Sequence, residues 1–381
     1  MCQPQYEVAD IIARFGESFQ KKFKLNTYQL RTLEALRKCR TSAMGGHKLR
    51  CNNCGKEHIS YNSCRNRHCP KCQGLDQLSW ANERIKSCYK VKHYHIVFTL
   101  PEVLNPVCLN NSKWFYNHMF TCIWEVLKSF GYSHFASETG AICVLHTWGE
   151  NLSFHPHIHC IFPAIGFSLK GKMKYIGKNG KYLFPVTQLS LAFKGKFLKG
   201  VKRYLKKHDI VNQYSCNLQD AWRKKWVVYC QPAFGKPDHV IQYLSRYIHR
   251  VAISNHRIIK ITDKQVCFSM KDYRQNGKSA ILWLPGEEFL RRFCMHILPA
   301  GFVKIRYFGI YSSRFRSTIK NTEKIIITAP VNASDEVSQL LKFDIYQCPF
   351  CKKGKLIVVE VIPKARSPAL FYWPVKSSCN D

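Results

Sequence analysis

Two cysteine knuckles, Cys51-Asn52-Asn53-Cys54 and Cys69-Pro70-Lys71-Cys72, constrain this chain more than any other feature. Each Cys-x-x-Cys turn presents two thiolates, and two such turns complete a tetrahedron around zinc. Cys51, Cys54, Cys69 and Cys72 are therefore the expected ligands of one structural Zn²⁺. With no position open to water, such a site folds its module and does not catalyse. His47, His58, Cys64 and His68 are left over, and either a second zinc site or ordinary packing accommodates them. Lys48, Arg50, Arg65, Arg67 and Lys71 surround the module and suggest contact with DNA. A further knuckle, Cys348-Pro349-Phe350-Cys351, has no second half nearby in sequence. A decayed ribbon and an intermolecular one are both open, and no ligand role follows.

The chain holds 19 cysteines, and its N-terminus lacks the basic and apolar regions of a secretory leader. Reduced thiols, metal sites and a cytoplasmic, nucleoid-associated location are the expectation, rather than a disulfide framework. Its 381 residues, 46% of them hydrophobic, suffice for two or three cored domains. The formal charge of +35 is tolerated most readily beside an anionic partner, so nucleic acid is expected first. A membrane is excluded as a span, since no apolar run approaches the roughly 18 residues required.

Residues 6–39 read as two basic amphipathic helices, the second capped at Asn26-Thr27. Residues 92–100 and 140–147 alternate as strands, and residues 226–229 form a further apolar strand. Residues 258–262 and 265–270 form a hairpin, 287–295 a helix, and 304–311 a basic-aromatic strand. Between them lies a basic stretch, 166–210, helical over 186–207. Lys194, Lys196, Lys199, Lys202 and Arg203 are its candidate phosphate contacts. Tyr175, Tyr182, Phe184, Phe193, Phe197 and Tyr204, interleaved with the lysines of this stretch, suit the base stacking of a single-strand track.

The stretch Phe154-His155-Pro156-His157-Ile158-His159-Cys160 reads as a strand, its paired part starting near His157 because proline cannot donate to a ladder. His157 and His159 then share one face, while Ile158 anchors the other. Two imidazoles on a rigid sheet suit a divalent ion, and Glu150, seven residues upstream, is the candidate third ligand. Imidazole with carboxylate favours Mg²⁺ or Mn²⁺. His93 and His95 also share a face, with a structural or DNA-contacting role. Downstream, Tyr243 and Tyr247 sit four apart on a helix whose apolar stripe includes Ile241, Leu244 and Ile248. A phenol near such a metal can act as a nucleophile at phosphorus. Arg246 and Arg250 on the same segment are candidate DNA contacts.

His157-Ile158-His159 with Tyr243 and Tyr247 resembles the HUH endonucleases, in their two-tyrosine branch. The strings His146-Thr147-Trp148-Gly149-Glu150 and Tyr243-Leu244-Ser245-Arg246-Tyr247-Ile248-His249-Arg250 are similar to those of IS91 family transposases. The departures are Glu150, where glutamine is expected, and Phe162-Pro163-Ala164-Ile165-Gly166, where a tighter turn is usual. The resemblance implies an α+β fold with an HUH-type antiparallel sheet flanked by helices, an N-terminal helical segment and a small zinc-binding module. It implies rolling-circle transposition, with single-stranded DNA at transposon ends cut through a 5′-phosphotyrosine.

The domain organisation expected is helices over 1–45, a zinc-binding DNA-recognition module over 46–90, and a nuclease and strand-transfer domain over 91–320 carrying the basic insertion 166–210. A C-terminal extension over 321–381 holds the lone knuckle and a disordered tail. Two other readings compete. One is a non-catalytic, zinc-dependent DNA-binding regulator. The other is a small-molecule metallohydrolase, which would need neither this charge nor two tyrosines, so no small-molecule substrate is expected. Oligomeric state stays open.

Overall fold

A computed structural model describes residues 4–72, 89, 91–177, 183–234, 251–272, 277–318, 344 and 346–365. The tyrosine segment with Tyr243, Tyr247, Arg246 and Arg250, and most of the tail, lie outside these residues.

The chain opens with α1 (Val8–Lys22) and α2 (Thr27–Lys38). The Asn26 side chain accepts from the Gln29 backbone N–H, and the Gln29 side chain accepts from the Asn26 backbone. This reciprocal box satisfies two of the donors that a helix start leaves orphaned. The hairpin β1 (Gly46–Cys51) and β2 (Glu57–Tyr61) follows. Next come β3 (His93–Thr99), α3 (Asn105–Asn110), α4 (Ser112–Phe135), β4 (Gly140–Trp148) and β5 (Phe154–Pro163). A short hairpin, β6 (Ile165–Phe167) and β7 (Met173–Tyr175), leads to α5 (Val186–Lys207) and α6 (Ser215–Arg223). After β8 (Val228–Phe234) stand β9 (Ile258–Ile261), β10 (Gln265–Asp272), β11 (Lys278–Pro285) and α7 (Gly286–Met295). β12 (Ile305–Gly309), α8 (Ser313–Thr318) and β13 (Leu356–Ile362) complete the order.

The architecture is α+β, and its centre is an antiparallel sheet in the order β12-β4-β5-β3-β8. Period-two alternation sorts its side chains onto two faces. Ile96, Phe98, Leu145, Ile158, Cys160 and Phe162 point to one face and form a core with α4 and α5. Ring contacts lock that core: Phe98 meets Phe193 at 5.1 Å, and Phe115 meets Phe197 at 5.1 Å. The other face carries Ile142, Val144 and Ile161 and, towards one end, the histidines.

β5 begins at Phe154, earlier than expected. Pro156 is tolerated because its carbonyl accepts from the Leu100 N–H, while the register of β4 with β5 shifts between His146 and Trp148. No regular ladder donor is required there. β8 also contains a proline, Pro232, and lies at the sheet edge where proline is allowed.

α1 and α2 pack on α7 and the sheet β11-β10-β9, sharing Phe15, Phe19, Leu33, Phe268, Phe289 and Phe293 in one core. The zinc-module hairpin pairs with β13, so the first and last described strands are neighbours. Among the described residues no helix is long and apolar enough to cross a membrane.

Candidate active site and metal centres

Antiparallel pairing of β4 and β5 places His146 directly opposite His157, and Val144 opposite His159. Three imidazoles therefore converge from two neighbouring strands, with potential ligand nitrogens within 4.8 Å of one another. The His146 and His159 rings are 4.7 Å apart, and those of His157 and His159 4.9 Å. The expected third ligand, Glu150, is not among the three groups that cluster. The Glu150 carboxylate lies 3.6 Å from the Arg257 guanidinium, which also donates to the Glu150 carbonyl. Glu150 thus contacts Arg257, and His146 is the third imidazole beside His157 and His159.

Neighbouring groups set the orientation of each ring. His157 Nδ1 is 2.7 Å from the carbonyl of His155, so Nδ1–H donates there and Nε2 carries the lone pair. His159 Nδ1 is 2.9 Å from His95 Nε2, the two rings stacked at 7°. Burial pushes His95 down to about 4, so it stays neutral and can accept from His159 Nδ1–H. That again leaves Nε2 for a ligand. His95 thus supports a ring of the cluster. His93 has a different role: it is fully buried, and its Nε2 is 2.6 Å from the Tyr311 hydroxyl.

The donor set fits a divalent transition metal. Three neutral nitrogens without a carboxylate suit Mn²⁺ and its later neighbours better than Mg²⁺, which prefers oxygen. Trp148 stacks on His146 at 4.7 Å and meets His296 edge-on at 6.1 Å. Behind Trp148 is a small cavity of about 20 Å³ lined by Arg67, His68, His296 and Lys304. Burial pushes Lys304 down to about 8, and His68 to about 3. Arg67 donates to the carbonyls of Pro299 and Phe302, which docks the zinc module beside the central sheet.

The expected zinc tetrahedron of Cys51, Cys54, Cys69 and Cys72 does not form. Its two knuckles belong to different clusters, Cys39/Cys64/Cys69/Cys72 and Cys51/Cys54/Cys348/Cys351. Proximity in sequence misleads here, because β1 and β2 carry the first knuckle away from the second. In the first cluster the Cys72 sulfur is 3.6 Å from those of Cys39 and Cys64. Tetrahedral Zn–S bonds of about 2.3 Å put sulfurs about 3.8 Å apart, so this cluster fits zinc. Hydrogen bonding among the four sulfurs holds the Cys72 thiol down and pushes those of Cys64 and Cys69 up, as one thiolate shared by packed thiols requires. Cys39, at the end of α2, belongs to no knuckle, so spacing alone does not reveal it. Cys64 stands in sequence only as a leftover.

Lys196, Lys199, Lys202 and Arg203 lie exposed on α5, while Lys194 donates to the Lys224 carbonyl and covers the Trp222 ring. Lys196 pairs with Glu125 at 2.7 Å. The aromatic part of the expected track divides: Tyr175 on β7 is exposed, Phe184 is buried, and Tyr182 lies outside the described residues. Phe193 and Phe197 are fully buried in the core, and Tyr204 stacks on Trp114 at 3.8 Å. α5 also packs on the sheet face opposite the histidines, so its lysines do not line the imidazole cluster.

Comparisons with known proteins give the chain's relatives. Residues 140–318 match a family described as "Putative transposase", and residues 11–100 match the "Transposase zinc-binding domain" of IS91 type. The "Transposase for insertion sequence element IS801" of Pseudomonas savastanoi is 25% identical over 315 residues, covering 76% of this chain and 72% of that one. No solved structure matches with significance. The "Putative transposase y4qJ" of Sinorhizobium fredii is 36% identical over 389 residues, covering 95% of this chain and 97% of that one. With both halves matched and a relative aligned almost end to end, the chain belongs to the IS91 family of transposases.

Proposed function

We propose that this transposase nicks and rejoins single-stranded DNA at the ends of a mobile element through a 5′-phosphotyrosine. The observation that supports this most is the convergence of His146, His157 and His159 from paired strands. A divalent ion held by those three rings would draw charge from the scissile phosphate oxygens. Tyr243 or Tyr247 supplies the nucleophile. Its hydroxyl oxygen bonds to phosphorus, the bond from phosphorus to the 3′ oxygen breaks, and that oxygen leaves as a 3′-hydroxyl. A second tyrosine lets another strand be cut while the first 3′-hydroxyl attacks the first adduct. Each exchange trades one phosphodiester for another, so no high-energy cofactor is needed. The ring partners His95 and His155 hold the tautomers that this chemistry requires. A cytoplasmic location beside the nucleoid follows from the same reading.

The purely DNA-binding regulator gives no reason for three imidazoles held in one orientation on a sheet. The experiment that separates the readings incubates the protein with Mn²⁺ and single-stranded terminal sequences and then looks for an adduct that survives SDS. Strand transfer requires that adduct, and a regulator cannot form it.

A further inference from the structure

We infer that the transposase binds a second structural zinc, held by Cys51 and Cys54 from the N-terminal module and by Cys348 and Cys351 from the C-terminal segment. The zinc-binding match ends at residue 100, so it contains only half of this site.

Sulfur spacing is the first support. Cys51 and Cys351 are 3.7 Å apart, as are Cys54 and Cys348, and all four sulfurs lie within 4.8 Å of one another. A tetrahedral ZnS₄ centre has edges of about 3.8 Å. Disulfide-bonded sulfurs would be about 2.05 Å apart.

The knuckles also carry the N–H···S contacts that favour thiolates over thiols. Asn53 and Cys54 N–H groups point at Cys51 Sγ from 3.4 Å, and the Gly354 N–H points at Cys351 Sγ from 3.4 Å. Asn53 Nδ2 reaches across the site to Cys351 Sγ at 3.8 Å.

The backbone joins the two halves as one ribbon. β1 and β13 pair antiparallel, with Cys51 opposite Leu356. Beside the knuckles, Asn52 N–H donates to the Lys355 carbonyl at 3.0 Å, and Lys355 N–H returns to Asn52 Oδ1 at 2.8 Å. Gly354 is required at this seam, since a Cβ there would sit 2.5 Å from Cys51 Sγ. The smallest residue thus stands where the C-terminal knuckle closes against the N-terminal one.

The consequence is topological. The whole catalytic sheet lies between the two halves of one metal site, so the site is completed only after residue 351 has been made and folded back. The C-terminal segment is thereby part of the zinc module. This second zinc does not depend on the strand-transfer reading, and its test reads metal rather than cleavage.

The full-length protein carrying His157→Ala and His159→Ala, so that the imidazole cluster holds no metal, and purified without chelator, should carry two zinc ions per chain by native mass spectrometry and elemental analysis, with all four thiols alkylatable after denaturation in EDTA. In the same background the Cys348→Ser/Cys351→Ser variant should carry one. Should that variant fail to fold, Cys351→His keeps a competent ligand. Its cobalt-loaded form should retain two tetrahedral centres, one with a blue-shifted d–d band as nitrogen replaces sulfur. One zinc per full-length chain, two in the double serine variant, an unchanged cobalt spectrum in Cys351→His, or alkylation-resistant disulfides among these four cysteines would each overturn the assignment.

Discussion

His95 Nε2 stands 2.9 Å from His159 Nδ1 with the two rings nearly parallel, and this contact fixes which nitrogen of His159 faces the cluster. Outer partners of this kind typically change metal affinity by about 10- to 100-fold. His95→Ala should therefore raise the Mn²⁺ concentration needed for half-maximal adduct formation by about that factor, with the rate at saturating Mn²⁺ much less affected. His95→Gln, which can still accept, should recover part of the loss. A Mn²⁺ titration of each variant checks this, and an unchanged midpoint in His95→Ala would remove His95 from the account.

If the imidazole cluster holds the ion, His146 rather than Glu150 is the third ligand. Glu150→Gln should leave the Mn²⁺ midpoint within a few-fold and cost no more than about 1 kcal/mol of stability, the range of a partly exposed ion pair. His146→Ala should lose Mn²⁺ binding to the cluster, read by electron paramagnetic resonance of the bound ion. The reverse pattern would restore Glu150 as the third ligand.

Burial of His93 and His296 predicts an acid response. Each is pushed down to about 4 by desolvation, whereas the unfolded chain titrates near 6.5. Between those values the unfolded state binds more protons, so stability is full above about pH 6.5 and falls as pH drops towards 4. Each such histidine contributes a slope of about 1.4 kcal/mol per pH unit in that window. Denaturant melts between pH 7 and 5 should show the loss, before carboxylates such as Glu288 begin to protonate. His296→Asn should flatten the slope by about one proton. A flat profile over that window would contradict the buried, neutral assignment.

On α5 the lysines and the phenylalanines separate cleanly. Phe197→Ala should destabilise the fold by about 3–5 kcal/mol, as expected for a fully buried aromatic ring. Lys199→Ala with Lys202→Ala should keep the melting profile and lower the slope of log affinity against log salt by about 0.7 for each phosphate no longer neutralised. The adduct rate at saturating DNA should not change, because these side chains lie across the sheet from the imidazoles.

Much of this was legible locally. The alternation of His157, Ile158 and His159 fixed their faces, and Asn26 announced the start of α2. The i, i+4 series Leu189, Phe193, Phe197, Val201 and Leu205 also marked the core stripe of α5, so the burial of its phenylalanines was readable from the same period. What stayed hidden was non-local. His146 becomes a partner of His157 only through the register of β4 with β5. Cys348 and Cys351 meet Cys51 and Cys54 only because the C-terminus returns to pair with β1. Spacing along a chain reports neighbours within an element, whereas register between elements is decided by packing.

A metal-dependent phosphotyrosine is tested most directly by the SDS-resistant adduct on single-stranded terminal DNA after EDTA treatment and readdition of Mn²⁺. The wild type should form it, and Tyr243→Phe with Tyr247→Phe should form none while keeping its fold and its DNA binding. Adduct formation by that double variant, or by wild type held in EDTA, would contradict the account.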